Sequence, residues 1–204
     1  MNTISRRIRK KTQTRERILT EAIRIFSQRG IEQATVDEIA AAADVGKGTI
    51  YNYFETKEDI VVAFLLDLEH QLQEQVGRLI TRRGSLESTL VSFLRLHFKL
   101  KEPHHAFVRV FLAQMFSRAT ASSAWIQQLQ TVIDPPLQQL FSSLQERGLV
   151  RRDVALPDLV QIFKMIHLGL TATWAMEGPP WRETGRLLKE EIRLFCKGLE
   201  ARKP

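Results

Sequence analysis

Cysteine is almost missing from this 204-residue chain. Cys196 stands alone, which excludes an intramolecular disulfide and a thiolate metal cluster, and it reads as a packing residue rather than a nucleophile. Glycine is sparse and strand signals are nearly absent, while apolar residues recur at helical spacing throughout, so the expected fold is all-α. No apolar run reaches membrane-spanning length, and the basic N-terminus has no apolar segment behind it. Neither a transmembrane helix nor a signal peptide is expected, and the chain is placed in the cytoplasm. Histidine is scarce too. His70, His97, His104, His105 and His167 include no i, i+4 ligand pair, so neither a metal nor a cofactor is expected. Gly46-x-Gly48 opens a short helix with no strand before it, and no serine sits in a nucleophile-elbow context, so the chain is not expected to be an enzyme. What the chain does have is positive charge. Thirty Lys and Arg against 23 Asp and Glu give +7, a balance that favours nucleic acid or an anionic membrane surface as partner.

The stretch from Thr35 to Phe54 carries the sharpest local signal. Thr35 and Glu38 have capping-box spacing, and Val36, Ile39, Ala40 and Ala43 fall on one face of a two-turn helix. Asp44-Val45-Gly46 makes a tight corner. A second short helix starts near Lys47 and buries Ile50 and Phe54, leaving Lys47, Gly48, Thr49, Tyr51, Asn52 and Tyr53 outside. That is a helix-turn-helix. Its outer face suits a duplex: Lys47 meets a phosphate or a guanine edge, Gly48 lets backbone approach, and the tyrosine hydroxyls reach phosphates. Thr49 and Asn52 are the candidates for base preference.

The same stretch resembles the DNA-binding region of the tetracycline-repressor (TetR) family of bacterial transcription regulators. The resemblance runs through Thr35, Val36, Ile39, Ala40, Ala43, Val45, Gly48, Thr49, Ile50, Tyr51, Tyr53, Phe54, Lys57 and Glu58. Asp44 departs from the family's turn glycine and Gly46 from its serine, which removes one hydroxyl near the phosphates. The resemblance is specific over about residues 12–60 and architectural beyond. It implies a small DNA-binding domain, a larger helical domain for ligand binding and dimerisation, and about nine helices. It further implies that a ligand shifts the connecting helix, changes the separation of the two recognition helices in a dimer, and releases DNA.

The remaining chain reads as helices around this unit. Arg6, Arg7, Arg9, Lys10 and Lys11 form a basic arm, expected along the DNA backbone or in the minor groove. A helix from about Thr14 to Arg29 supplies Ile18, Ala22 and Phe26 to a core shared with Ile39, Ile50 and Phe54. Thr56 caps a long helix from Lys57 to about Arg82, with Lys57 placed for a phosphate; residues 1–56 form the DNA-binding domain and 57–204 the helical remainder. A break or kink is expected at Asp134-Pro135-Pro136. On the last two helices, Leu159, Phe163, Ile166 and Leu170 form one stripe and Leu188, Ile192, Phe195 and Leu199 another, together the expected homodimer contact.

An apolar small-molecule effector is expected among the middle helices, where bulky side chains exceed what a simple bundle requires. Phe93, Phe107, Phe111, Met115, Trp125, Phe141, Phe163, Met165 and Trp174 are the candidate walls, and His97, Gln114, His167, Thr171 and Thr173 the candidate polar groups. Acidic residues are scarce there, which favours a neutral or anionic apolar compound. The functional expectation is a repressor released from a palindromic operator by that effector. The alternative is a ligand-independent or architectural DNA-binding protein whose C-terminal part only dimerises or binds a protein partner.

Overall fold

The computed structural model describes residues 2–81, 84–117 and 124–199. Among these residues the chain is all-α. Nine helices follow one another: α1 (Asn2–Arg29), α2 (Val36–Ala42), α3 (Lys47–Tyr51), α4 (Lys57–Thr81), α5 (Leu86–Lys101), α6 (His105–Ser117), α7 (Ala124–Glu146), α8 (Leu156–Glu177) and α9 (Arg182–Leu199). A 3-10 turn at Glu102–His104 joins α5 to α6. The chain divides into two compact units, residues 1–66 with 106–126, and residues 67–105 with 127–204. None of the described helices is long and apolar enough to cross a membrane.

The first unit is built from strong local signals. Thr35 Oγ1 accepts from the Glu38 amide at 3.2 Å while the Glu38 carboxylate accepts from the Thr35 amide at 3.0 Å, so two orphan donors of α2 are satisfied reciprocally. Thr56 and Asp59 repeat the arrangement at the start of α4. Asp44 takes the turn in the left-handed region at φ 50, and Gly30 ends α1 at φ 84. Ile18, Ala22, Phe26, Ile39, Ile50 and Phe54 are all buried. Phe107 of α6 belongs to the same unit, with its ring edge-on to Phe64 at 5.2 Å. One expectation is corrected here: α1 begins at Asn2, not near Thr14, so Arg6 to Lys11 are helical. Nothing between Asn2 and Thr14 breaks a helix, and Arg and Lys are good helix formers.

In the second unit, Phe93 of α5, Phe141 of α7 and Phe163 of α8 pack ring against ring, Phe163 lying 5.7 Å from Phe93 and 5.4 Å from Phe141. Each such ring contributes roughly 1.5–3 kcal/mol by leaving water. α7 runs unbroken through Pro135 and Pro136, where a break or kink was expected. Burial of Leu137, Leu140 and Phe141 just beyond, and an Asp134–Lys164 ion pair at 2.6 Å, hold the helix together across the missing amides.

A second correction concerns α8 and α9. Leu159, Phe163, Leu170, Leu188, Ile192 and Leu199, expected at a dimer contact, are buried inside the chain itself. Phe195 lies 6.0 Å from Phe163 within the same core, and Ile166 is only partly exposed. The spacing that marks a stripe is the same whether it faces its own core or a second copy, and here it faces the core.

Candidate DNA-binding and effector sites

α3 is only five residues long, and a helix that short persists through tertiary packing rather than its own hydrogen bonds. Buried Ile50 anchors it, and Phe54 follows, buried beneath the Arg15 guanidinium at 5.9 Å. The opposite face is open: Lys47, Gly48, Tyr51 and Asn52 are exposed, and Thr49 is half-buried. Lys47 Nζ contacts Asp37 at 2.9 Å, a hydrogen bond and charge that raise its pKa above the ordinary lysine value. Both partners of that pair are exposed, so a phosphate can replace the carboxylate at little loss.

Two residues expected on DNA have work inside the fold. The Lys57 ammonium donates to the carbonyls of Ile31, Glu32 and Ala34 at 2.8, 2.9 and 2.8 Å, which uses all three of its protons. It ties the loop after α1 to the start of α4, in place of the phosphate contact assigned to it from spacing. The Tyr53 hydroxyl donates to the Lys11 carbonyl at 3.2 Å and so fixes the basic part of α1 beside α3. Arg6, Arg7, Arg9, Lys10 and Lys11 are all exposed along that helix.

Gly48 supplies a different kind of signal. A Cβ built there meets no atom within 4 Å, so nothing in the chain forbids a side chain. Glycine inside a helix nonetheless costs roughly 0.5–1 kcal/mol relative to alanine. At that point the exposed face of α3 carries no side chain.

The candidate effector residues are divided between the two units. Phe107, Phe111 and Met115 belong to the first unit, with the Phe107 and Phe111 rings stacked at 6.2 Å. Phe93, His97, Phe141, Phe163, His167, Thr171 and Trp174 belong to the second. Met165 is on the surface, and Thr173 is half-buried, its hydroxyl returned to the Gly169 carbonyl. The side chains of Gln114 and Trp125 lie outside the described residues.

Within the second unit a polar cluster sits in apolar surroundings. The His97 and His167 rings lie 4.2 Å apart, Glu69 Oε1 is 3.2 Å from His97 Nε2, and the buried Lys101 stands one turn further along α5. The Glu69 contact is close enough for charge pairing but lacks hydrogen-bond alignment, and both His97 nitrogens and His167 Nε2 are buried without a hydrogen-bond partner. Thr171 donates to the His167 carbonyl at 2.7 Å, leaving the imidazole unengaged. Burial first, then the Lys101 charge, lowers the His97 pKa, against the opposing pull of Glu69. Burial, then the charges of His97 and Lys101, holds His167 well below 6.5. Burial raises the Glu69 pKa, but His97 and Lys101 outweigh it and leave the carboxyl below its ordinary value. Neither Lys101 nor Glu69 was legible as a site residue, because nothing in spacing reveals that two charges from different helices are buried together.

These shifts have a consequence for stability. Both imidazoles have lower pKa values folded than unfolded, so the unfolded chain binds more protons as pH falls below 6.5. The stability they contribute is complete above that pH and is lost as pH falls from 6.5 towards their folded values. Calorimetry from about pH 7.5 to about pH 5.5 is expected to show a falling melting temperature, about 2–4 °C for each kcal/mol lost in a chain of this size. His167→Asn is expected to flatten the acid limb, and a wild-type melting temperature constant over that window sinks the assignment.

Residues 18–64 match the model for bacterial regulatory proteins of the tetR family. The chain is 28% identical over 179 residues to the HTH-type transcriptional repressor DhaR of Mycobacterium sp. (strain GP1), covering 80% of each. Its fold matches that of the transcriptional regulator FadR from Bacillus subtilis, solved with stearoyl-CoA, with a TM-score of 0.73 at 20% identity, over 89% of this chain and 96% of that one. It also matches Thermus thermophilus FadR, a TetR-family repressor solved with lauroyl-CoA, with a TM-score of 0.71 at 23% identity, over 93% and 97%. Residues 18–64, which hold the helix-turn-helix, are thus a tetR-family DNA-binding region, and the helical remainder shares the fold of these solved structures.

Proposed function

We propose that the chain is a transcriptional repressor that binds a palindromic operator as a homodimer and leaves it when an acyl thioester occupies the second unit. The observation that carries the DNA reading is the open face of α3, where a lysine, a tyrosine, an asparagine and a sterically unexplained glycine stand side by side. The exposed cations of α1 extend the positive surface, and the Tyr53–Lys11 bond fixes them beside α3. α4 continues from the first unit into the second, so it is the covalent element through which occupancy of one biases the other.

The effector reading rests on the buried imidazole pair. Unpartnered hydrogen-bonding atoms inside an apolar core are costly, and a ligand carbonyl or carboxylate flanked by an apolar chain accepts from the imidazole N–H groups there. Among the relatives in fold, two FadR proteins were solved with fatty acyl-CoA bound, an apolar chain on a polar thioester. A gel shift with operator DNA tests the reading. Palmitoyl-CoA is expected to weaken operator binding by about 5–150-fold, the usual span of allosteric coupling. Operator affinity unmoved by acyl-CoA of any chain length sinks the effector reading and leaves the ligand-independent alternative. Binding that favours neither state shifts nothing, so release and not mere binding is the readout.

A further inference from the structure

One side of α5 and the start of α9, both in the second unit, border an open groove of about 1050 Å3. That is at the upper end of the roughly 300–1,000 Å3 of small-molecule sites. Six Lys and Arg line it against three Glu. Arg95 and Lys99 are one turn apart on α5, as are Lys189 and Arg193 on α9, and none of the four makes an ion pair among the described residues. Arg186 differs, being held by Glu183 and by Glu190 at 2.6 Å. Four cations without an ion pair thus stand in one groove whose lining keeps an excess of positive charge over its three Glu.

The same groove has a rigid aromatic wall. Phe98 stacks on Trp174 at 5.7 Å and 22°, and Trp174 stacks on Trp181 at 5.4 Å and 14°. The Trp181 indole is fixed by donating to the Trp174 carbonyl at 3.1 Å, and the His105 ring sits edge-on to it at 5.8 Å. Trp174 and Phe98 are buried, whereas Trp181 is partly exposed, so the stack ends in a ring that meets solvent. A held aromatic surface beside unpaired guanidinium and ammonium groups suits a planar base joined to a chain of phosphates.

We propose that this groove takes a nucleoside diphosphate group, with the base on Trp181 and the phosphates on Arg95, Lys99, Lys189 and Arg193. It deepens the acyl-thioester reading and rests on it for the claim that this group is the handle of the effector. A free nucleotide and one tethered to an acyl chain share the chemistry, so the test uses both. Full-length protein is titrated with ADP, CoA, palmitoyl-CoA and palmitate by calorimetry and tryptophan fluorescence, in wild type and in Arg95→Glu with Lys189→Glu. Wild type is expected to bind CoA with quenched fluorescence and a steep salt dependence, and palmitoyl-CoA more tightly. The double variant, melting normally, is expected to lose more than about tenfold for both, with palmitate unchanged. If charge reversal unfolds the chain, Arg95→Gln with Lys189→Gln reports the same loss in milder form. CoA that fails to bind wild type, or binds the variant equally well, overturns the groove. CoA binding that the variant loses, without operator release by palmitoyl-CoA, upholds the groove and sinks the effector reading instead.

Discussion

Alanine at both Lys47 and Tyr51 is expected to weaken operator binding by more than about a hundredfold, about tenfold or more for each side chain removed from a nucleic-acid surface. Both side chains stand on the exposed face of α3, and neither contributes to the core that Ile50 and Phe54 anchor. The double variant should therefore melt like wild type, which separates a weakened interface from a damaged fold. Lys47 is paired with Asp37 in the free protein, so Asp37→Asn makes the opposite prediction: a freed lysine, one carboxylate less beside the phosphates, and tighter binding. If Lys47 meets phosphate, the salt slope of binding falls by about one unit in Lys47→Ala, uniformly across sequences. Gel-shift titrations at several salt concentrations read all three quantities. Unchanged affinity in the double variant would remove α3 from the interface.

The first unit was legible because its determinants are local. The Thr35–Glu38 capping box spans four residues, the left-handed Asp44 sits in the three-residue corner, and Ile50 and Phe54 declare their face by spacing alone. Lys57 shows where local reading stops. Lysine near the start of a helix in a DNA-binding unit has the right chemistry for a phosphate. The three carbonyls that hold it come from Ile31, Glu32 and Ala34, more than twenty residues earlier, and only the folded chain brings them to it.

The second unit was less legible for a related reason. α8 carries apolar residues on more than one face, so spacing finds several stripes and ranks none of them. The buried Glu69–His97–Lys101 group joins two helices through charge, and the groove beside Trp181 is bordered by α5 and α9, far apart in sequence. Charged positions on amphipathic helices read as ordinary solvated surface until their neighbours are known.

With the Leu159 and Leu188 stripes buried, the exposed surface of α8 and α9 points to a different dimer contact. Of the six exposed large apolar side chains among the described residues, four lie here: Ile162 at 49% exposure, Met165 at 52%, Met176 at 81% and Leu194 at 64%. Ile162, Met165, Gly169, Thr173 and Met176 advance by three or four residues and so share one face of α8. Gly169 lies mid-helix on that face with nothing within 4 Å of a Cβ placed there, which leaves room for the close approach of a second helix. A symmetric contact through this face supplies the two-fold axis that a palindromic operator needs. Met165→Glu places a carboxylate, and its symmetry mate, in the middle of that contact, where burying an unpaired charge costs on the order of 3–5 kcal/mol. Sedimentation is expected to show a dimer for wild type and a monomer for the variant at micromolar concentration, with operator binding abolished alongside. Leu159→Glu, on the stripe that spacing places at the interface, should instead unfold the second unit, because Leu159 is buried. A Met165→Glu chain that remains a dimer and binds operator normally would move the interface elsewhere.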